Sequence, residues 1–366
     1  MTKKTRLIIL LICAALFIMV TPMIIFYSLG YRFDFENKKV VATGGIYVKA
    51  NPLGTDIIID TNTNKKTGIF STYVFVQNLL PKQHSVLIKK EGYFDYQKTL
   101  DVKENEVTKL EHVTLFKKDL VFTAPAEDAL SPFEPTATEP KYLLKNNNLY
   151  ASKITTPIIK QVIAFKENGG ILWLASDGFL YQGNQNGENV EKLNQDALVI
   201  NKKNTYELLS FGKNIFLKEN NSLWLLNETT KNFQLFASDI IGTKNAPDGQ
   251  KMAYYTQNSI SIYYLTNDND SYDHPQQVTL PTLSESIKDL FWINSDYLMI
   301  VTPNRILISE IDARNNVNTI TLPETLTFDE NQSLNLKDAK ILFNDADKKI
   351  YLLSGKTTLV SERLIP

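Results

Sequence analysis

From Leu7 to Tyr31 the chain carries no charged side chain, and Leu7–Leu29 reads LIILLICAALFIMVTPMIIFYSL. As a helix this run spans about 34 Å at 1.5 Å per residue, enough to cross the hydrocarbon core of a bilayer. Pro22 lies near its outer end, where membrane helices tolerate a kink. Tyr27 and Tyr31 suit the headgroup zone. Lys3, Lys4 and Arg6 precede the run, which predicts a cytoplasmic N-terminus (1–6), a transmembrane helix (7–29) and export of everything that follows. Arg32, Lys38 and Lys39 follow on the far side, but long domains translocate largely regardless of charge. The competing orientation keeps the remainder of the chain cytoplasmic. Ala14 and Ala15 lie mid-run, no A-x-A follows its end, and Ile12 before Cys13 is too large for lipoprotein processing. The segment therefore reads as an uncleaved anchor, with cleavage as the alternative.

A chain of 366 residues has room for two or three domains. Its formal net charge of −1 argues against nucleic acid as a partner, because displacing phosphate counterions needs a basic face. Cys13 is the only cysteine and sits inside the apolar run. The rest of the chain has no disulfide or thiolate metal site to lean on, so packed cores must stabilise it.

Residues 30–42 read as a juxtamembrane linker. Beyond them the apolar period becomes two. GIYVKA places Ile46, Val48 and Ala50 on one face, and TDIIID places Ile57 and Ile59 together. Between them NPLGT supplies turn chemistry through Pro52 and Gly54. Further strands are predicted at TYVFVQNL, HSVLIKKEGY, YQKTLDV and VTKLEHVTLF. Residues 43–116, with Pro52-Leu53-Gly54-Thr55, then DIIID, Leu80-Pro81, Val86–Lys90 and Gly92-Tyr93, resemble the PEGA domain, a small β-sandwich. Leu53 and Thr55 replace the Glu and Ala of its namesake turn, and Ile69-Phe70 stand where Thr-Pro is usual. The resemblance implies a module of envelope and surface-layer proteins that binds or spaces.

Asp60, Asn62 and Asn64 in DTNTNKKTGIF have the alternate spacing of a calcium loop. Counting from Asp60, the sixth position must be Gly and the twelfth Glu, but they are Lys65 and Ser71. A hairpin end uses the same residue types, and that reading prevails. NDNDSYD, Asn267–Asp273, lacks the same Gly and Glu and is read as a loop.

Residues 117–140 hold Pro125, Pro132, Pro135 and Pro140 and read as an extended spacer. Residues 141–366 repeat loosely. Apolar pairs open strands at Leu149-Tyr150, Leu180-Tyr181, Leu223-Trp224, Ile262-Tyr263, Ile306-Leu307 and Ile350-Tyr351. The later pairs recur about every 39 to 44 residues, the spacing of four-stranded propeller blades, while the first interval is near 31 and implies an incomplete first unit. About six units fit. The last strand closes the ring either on the first unit or on DLVFTA, Asp119–Ala124. Asn245–Thr256, NAPDGQKMAYYT, resembles the Pro-Asp-Gly unit of TolB-like and WD-repeat propellers, and FWINSDYLMIVT is similar to a degenerate copy. A β-sandwich or two small β-domains is the structural alternative. The predicted fold class is thus all-β, with one transmembrane helix, a PEGA-like sandwich and a propeller of about six blades.

Chemistry is sparse. His84, His112 and His274 are the only histidines and none has a partner at metal-ligand spacing, so surface or edge positions are expected. No serine-hydrolase elbow or phosphate-binding glycine loop is present. Asp177-Gly178 and Asp248-Gly249 read as hairpin turns rather than catalytic acids. Trp173, Trp224 and Trp292 fall in predicted strands, where blade packing is the expected use and a sugar-stacking platform the alternative. No catalytic, cofactor or metal residue is assigned. The expected function is that of a membrane-anchored extracytoplasmic binding or scaffolding protein of the cell envelope. Its partners are the lipid bilayer, through the Leu7–Leu29 helix, and an envelope protein or cell-wall polysaccharide. The alternative is an envelope hydrolase acting on glycan or peptide through propeller-face carboxylates.

Overall fold

The structure is a computed structural model that describes residues 3–61, 63–68, 71–125, 140–152, 154–265, 276–323, 325–329, 332–336, 339–355 and 357–365. It divides into two units: Met1–Val121 with Arg314–Ile320 and Arg363–Pro366, and Phe122–Ala313 with Thr321–Glu362.

The first unit opens with α1 (Lys3–Ser28), which stays helical through Pro22 and buries none of its residues. At a mean hydropathy of 2.9 it is long and apolar enough to cross a membrane. Residues expected as a linker form an antiparallel hairpin instead, β1 (Tyr31–Asp34) with β2 (Lys39–Ala42). The physical reason is period two: Tyr31, Phe33 and Phe35 alternate with polar residues, and Asp34 caps the turn.

Seven strands follow: β3 (Gly44–Asn51), β4 (Asp56–Ile59), β5 (Thr63–Lys66), β6 (Tyr73–Leu79), β7 (Gln83–Lys89), β8 (Tyr96–Asp101) and β9 (Val107–Thr114). They form two sheets, β6-β3-β9 and β5-β4-β7-β8, in which only β3 and β9 pair in parallel. Ile46, Val48 and Ala50 from one sheet meet Ile57, Ile59, Val86 and Ile88 from the other in a single core. Each buried Ile or Val contributes about 1.5–3 kcal/mol by leaving water. The Asn51–Pro52 bond is cis. β5 is the lysine-bearing edge of its sheet, so part of the expected polar turn is strand.

The opposite edge, β8, is covered from far along the chain. The side-chain amide of Asn316 accepts from Thr99 N (2.9 Å) and donates to Gln97 O (2.8 Å), imitating a neighbouring strand. Asn315 Nδ2 donates to Thr99 O (2.9 Å), and the fully buried Lys98 donates Nζ to Asn316 O (2.8 Å).

The second unit starts with β10 (Phe122–Thr123). A three-stranded sheet follows, β11 (Tyr142–Lys145), β12 (Asn148–Ala151) and β13 (Ile159–Lys160). Four four-stranded meanders come next. The first is β14 (Val162–Glu167), β15 (Ile171–Ala175), β16 (Leu180–Gly183) and β17 (Glu191–Lys192). The second is β18 (Tyr206–Phe211), β19 (Asn214–Glu219), β20 (Ser222–Leu226) and β21 (Phe233–Ala237). The third is β22 (Gly242–Asn245), β23 (Lys251–Tyr255), β24 (Ile260–Tyr264) and β25 (Gln277–Thr279). The fourth is β26 (Asp289–Trp292), β27 (Tyr297–Val301), β28 (Ile306–Glu310) and β29 (Thr319–Thr321). A hairpin, β30 (Thr325–Asp329) with β31 (Gln332–Asn335), precedes β32 (Lys340–Asn344), β33 (Lys349–Ser354) and β34 (Thr357–Ser361).

These sheets stack as blades because their central strands are apolar on both faces. All five residues of β15 are buried. Ile171, Trp173 and Ala175 pack with the preceding sheet, and Leu172 and Leu174 with the following one. The last sheet has the order β10-β34-β33-β32, with Phe122 opposite Ser361 and Thr123 opposite Val360. Closure therefore uses DLVFTA, one of the two expected partners. The result is an all-β propeller of six sheets, three-stranded in the first. The first interval crosses four strand steps, β12 to β16, as the next three intervals do; it is short because Gln161 alone separates β13 from β14. Among the first strands of these sheets, β14 and β18 hold the apolar pairs Val162-Ile163 and Leu208-Leu209, whereas β22 holds none and has no place in that pattern.

Candidate functional site

The most constructed polar and aromatic arrangement lies where α1 ends. Gly30 takes φ +88°, and its N–H donates to Tyr27 O (3.2 Å) while Leu29 N donates to Ile25 O (2.9 Å), a left-handed close to the helix. Arg32, expected only as a charge beyond the helix, turns back onto it. Its Nη1 donates to Tyr27 O (2.7 Å) and Tyr31 O (2.8 Å), and the guanidinium sits 3.6 Å over the Tyr27 ring. A cation here satisfies orphan carbonyls and opposes the negative end of the helix dipole. Thr43 adds N–H (3.0 Å) and Oγ1 (2.6 Å) donors to Gly30 O.

The β1–β2 hairpin has two unlike faces. Val41, Ala42 and Asp34 are buried. Phe33 (47%), Phe35 (82%) and Val40 (58%) are exposed, with Phe33 opposite Val40 and its ring edge-on to Phe35 at 5.0 Å. Phe26 of α1 meets Tyr31 edge-on at 5.5 Å, so helix and hairpin present one aromatic surface. The acids nearby are engaged. Asp34 accepts from Asn37 Nδ2 (2.8 Å), Glu36 N (2.9 Å) and Asn37 N (3.2 Å), and these bonds, Asn37 foremost, hold its carboxyl below the usual range. Glu36 receives Lys82 Nζ at 2.8 Å, which holds that ammonium above its ordinary value. Lys38 and Lys39 are exposed.

The site residues weighed from sequence fall elsewhere. Asp60 is the corner of the β4–β5 turn with φ +50°, and its Oδ1 accepts Ser85 N at 2.9 Å. Its Oδ2 faces His84 Nδ1, while His84 Nε2 bonds Leu80 O at 2.8 Å. His84 is thus buried, 3% exposed, and corrects the expectation of a surface or edge histidine. The sequence shows only that it follows a turn; the fold brings Asp60 back over it. His112 lies exposed on β9. His274 and Asn267–Asp273 lie outside the described residues, as do Asn62 of the DTNTN turn and Pro132 and Pro135 of the spacer.

Asp177 and Asp248 serve turns. Asp177 accepts Phe179 N (3.0 Å) and Tyr181 OH (2.9 Å), and Asp248 accepts Gln250 N (2.9 Å) and Lys251 Nζ (2.5 Å). Burial raises the Asp248 carboxyl and Lys251 lowers it, with a net shift below its ordinary value. Trp173 is buried and stacked on Tyr181 at 5.7 Å, and Trp292 donates to Lys244 O at 2.9 Å between two blades. Trp224 packs in the contact between the second and third blades. All three belong to blade packing. Among the described residues, no group of His, Cys, Asp and Glu is arranged to hold a metal ion.

The sandwich can now be assigned. Residues 43–116 match the PEGA domain family. No curated protein matches the chain. Among solved structures it is similar to the extracellular domain of a putative hybrid two-component system from B. thetaiotaomicron (14% identity, TM-score 0.37). The match covers 75% of this chain and spans only 36% of that one. It is also similar to YCF48 from Cyanidioschyzon merolae (9%, TM-score 0.33, 77% of this chain and 91% of that one). A third likeness is to virginiamycin B lyase from Staphylococcus aureus (11%, TM-score 0.31, 56% and 70%). The PEGA module supplies the sheets that hold the hairpin, since Glu36 is tied to its Lys82 and Thr43 leads directly into β3.

Proposed function

We propose that this protein is anchored in the cell membrane by α1 and displays its PEGA module and a propeller of the TolB-like or WD-repeat kind outside the cytoplasm, as a binding or scaffolding component of the envelope. One observation carries the reading: a 26-residue helix, apolar over most of its length, none of whose residues is buried against the protein. Exposed apolar area of that size has no stable place in water, and lipid is the solvent that matches it. The basic start, Lys3, Lys4 and Arg6, favours an inward N-terminus. A body without cysteine tolerates an oxidising exterior. The propeller presents loops for a partner, an envelope protein or a cell-wall polymer, and Asp177 and Asp248 are committed to turns rather than to chemistry. The test is protease treatment of intact cells, followed by alkaline washing of membranes. Loss of the propeller from intact cells, with an N-terminal fragment retained in the washed membrane, supports the proposal. A protected propeller puts the β modules in the cytoplasm, and release of the full chain by the wash removes the anchor.

A further inference from the structure

The β1–β2 hairpin has no assigned role, and its outer face is unusual for a soluble turn. Three neighbouring apolar side chains, Phe33, Phe35 and Val40, are exposed together, and Phe35 is 82% exposed. The hairpin is not loosely hung. Arg32 and Thr43 pin its base to the helix end, and Glu36 ties its tip to Lys82. A rigidly held aromatic face is a built surface.

We infer that this hairpin is a second membrane contact, a collar that lies in the lipid headgroup zone of the leaflet where α1 emerges. The inference rests on the anchor reading above. Its occupant is argued from continuity: the Phe26–Tyr31 contact joins the hairpin face to the exposed apolar surface of the helix, so lipid around the last turn also meets the hairpin. Tyr27 and Tyr31 suit that depth because each ring is apolar with a polar tip, and the exposed Phe33, Phe35 and Val40 gain by partial insertion at the boundary between headgroups and acyl chains. Charge agrees. Asp34 is buried and bonded within its own turn and Glu36 is held by Lys82, which leaves exposed Lys38 and Lys39 to meet lipid phosphates. Two contacts, helix and collar, restrict how the PEGA module tilts over the bilayer; a helix alone leaves it free to swivel.

The experiment uses the full chain in vesicles of phosphatidylcholine with phosphatidylglycerol. In a Cys13→Ser background an environment-sensitive fluorophore is placed by Val40→Cys on the hairpin, Leu16→Cys at mid-helix and Val199→Cys on the propeller, where the native side chain is 91% exposed. The collar requires that the label at 40 be quenched by lipids spin-labelled near the headgroup and be several-fold less accessible to iodide than the label at 199. Replacing Phe33→Ser and Phe35→Ser together must then weaken lipid quenching at 40 while leaving quenching at 16 unchanged. Iodide access at 40 equal to that at 199, with 16 still quenched by deep spin labels, overturns the collar and leaves the anchor standing. An unquenched label at 16 overturns both. Protection at 40 without lipid quenching would put protein there, such as a second copy of the chain, and also overturns the proposal. Quenching at 40 that ignores the two Ser substitutions overturns the role of the aromatic face.

Discussion

His84 and Asp60 bear on stability rather than catalysis. Both ring nitrogens of His84 face acceptors, the Asp60 carboxylate and Leu80 O, in a position almost closed to water. His84→Ala leaves the carbonyl and the carboxylate without that partner. The expected loss is about 1–3 kcal/mol, read as a lower urea midpoint for the PEGA module; an unchanged midpoint would show the pair to be incidental. Two Asp-Gly turns make a paired test. Gly178 has φ +83°, and a Cβ there would lie 2.0 Å from Leu198 O. Gly249 has φ +68° and open space around it. Gly249→Ala should cost only the left-handed backbone penalty, about 1–2 kcal/mol. Gly178→Ala adds a clash with backbone that cannot rotate away, so its thermal midpoint must fall further. Equal losses would contradict the close approach of Leu198.

At the scale of elements, blade closure depends on a two-residue strand. β10 supplies the outer edge of the sheet formed by the last three strands, and Phe122 at 1% exposure anchors it. Phe122→Ala should destabilise the propeller by about 3–5 kcal/mol, the range for truncating a buried phenylalanine. Limited proteolysis should then cut first in β32–β34, because the edge that covers them has loosened. Cleavage that starts in the four central blades instead would mean that closure does not rely on β10. Those central blades were the most legible part of the chain, since β15 and β27 run apolar over five residues and β28 over its first three. One first strand was not: Gly242–Asn245 has no apolar pattern and is placed by its pairing with the apolar β23.

Across the whole molecule, the clearest pH response is alkaline. Burial pushes the phenols of Tyr255, Tyr264 and Tyr351 up to about 12 from an ordinary 10.0, helped by Asp289 for Tyr255, by Asp312, Asp296 and Asp248 for Tyr264, and by the bond to Asp347 for Tyr351. A raised phenol means that the folded state holds the proton more tightly than the unfolded one. Its stabilising effect is complete below pH 10 and is lost as pH climbs from there through 12. Unfolding midpoints should therefore stay level on this account up to pH 10 and fall above it, while an absorbance titration shows a late-ionising group of tyrosines. A propeller that keeps its midpoint through that range, or tyrosines that all ionise together near 10, would show these phenols to be better hydrated than the structure has them.

Residue order alone was enough for what is local. An uncharged apolar run long enough for a bilayer must be helix in lipid, because hydrocarbon offers the backbone no other hydrogen bonds. Period-two alternation in 43–116 placed six of the seven strands, all but β5, and the repeated apolar pairs of 141–366 gave the spacing of the blades, because side-chain direction along a strand depends only on the next residue. Tertiary structure decided what joins distant residues: Asp60 over His84, Asn316 on the edge of β8, Phe122 against Ser361, and an aromatic hairpin pinned beside the helix end. Those pairings depend on which surfaces meet when sheets stack. A linear pattern carries the chemistry of each partner but not the geometry that brings them together.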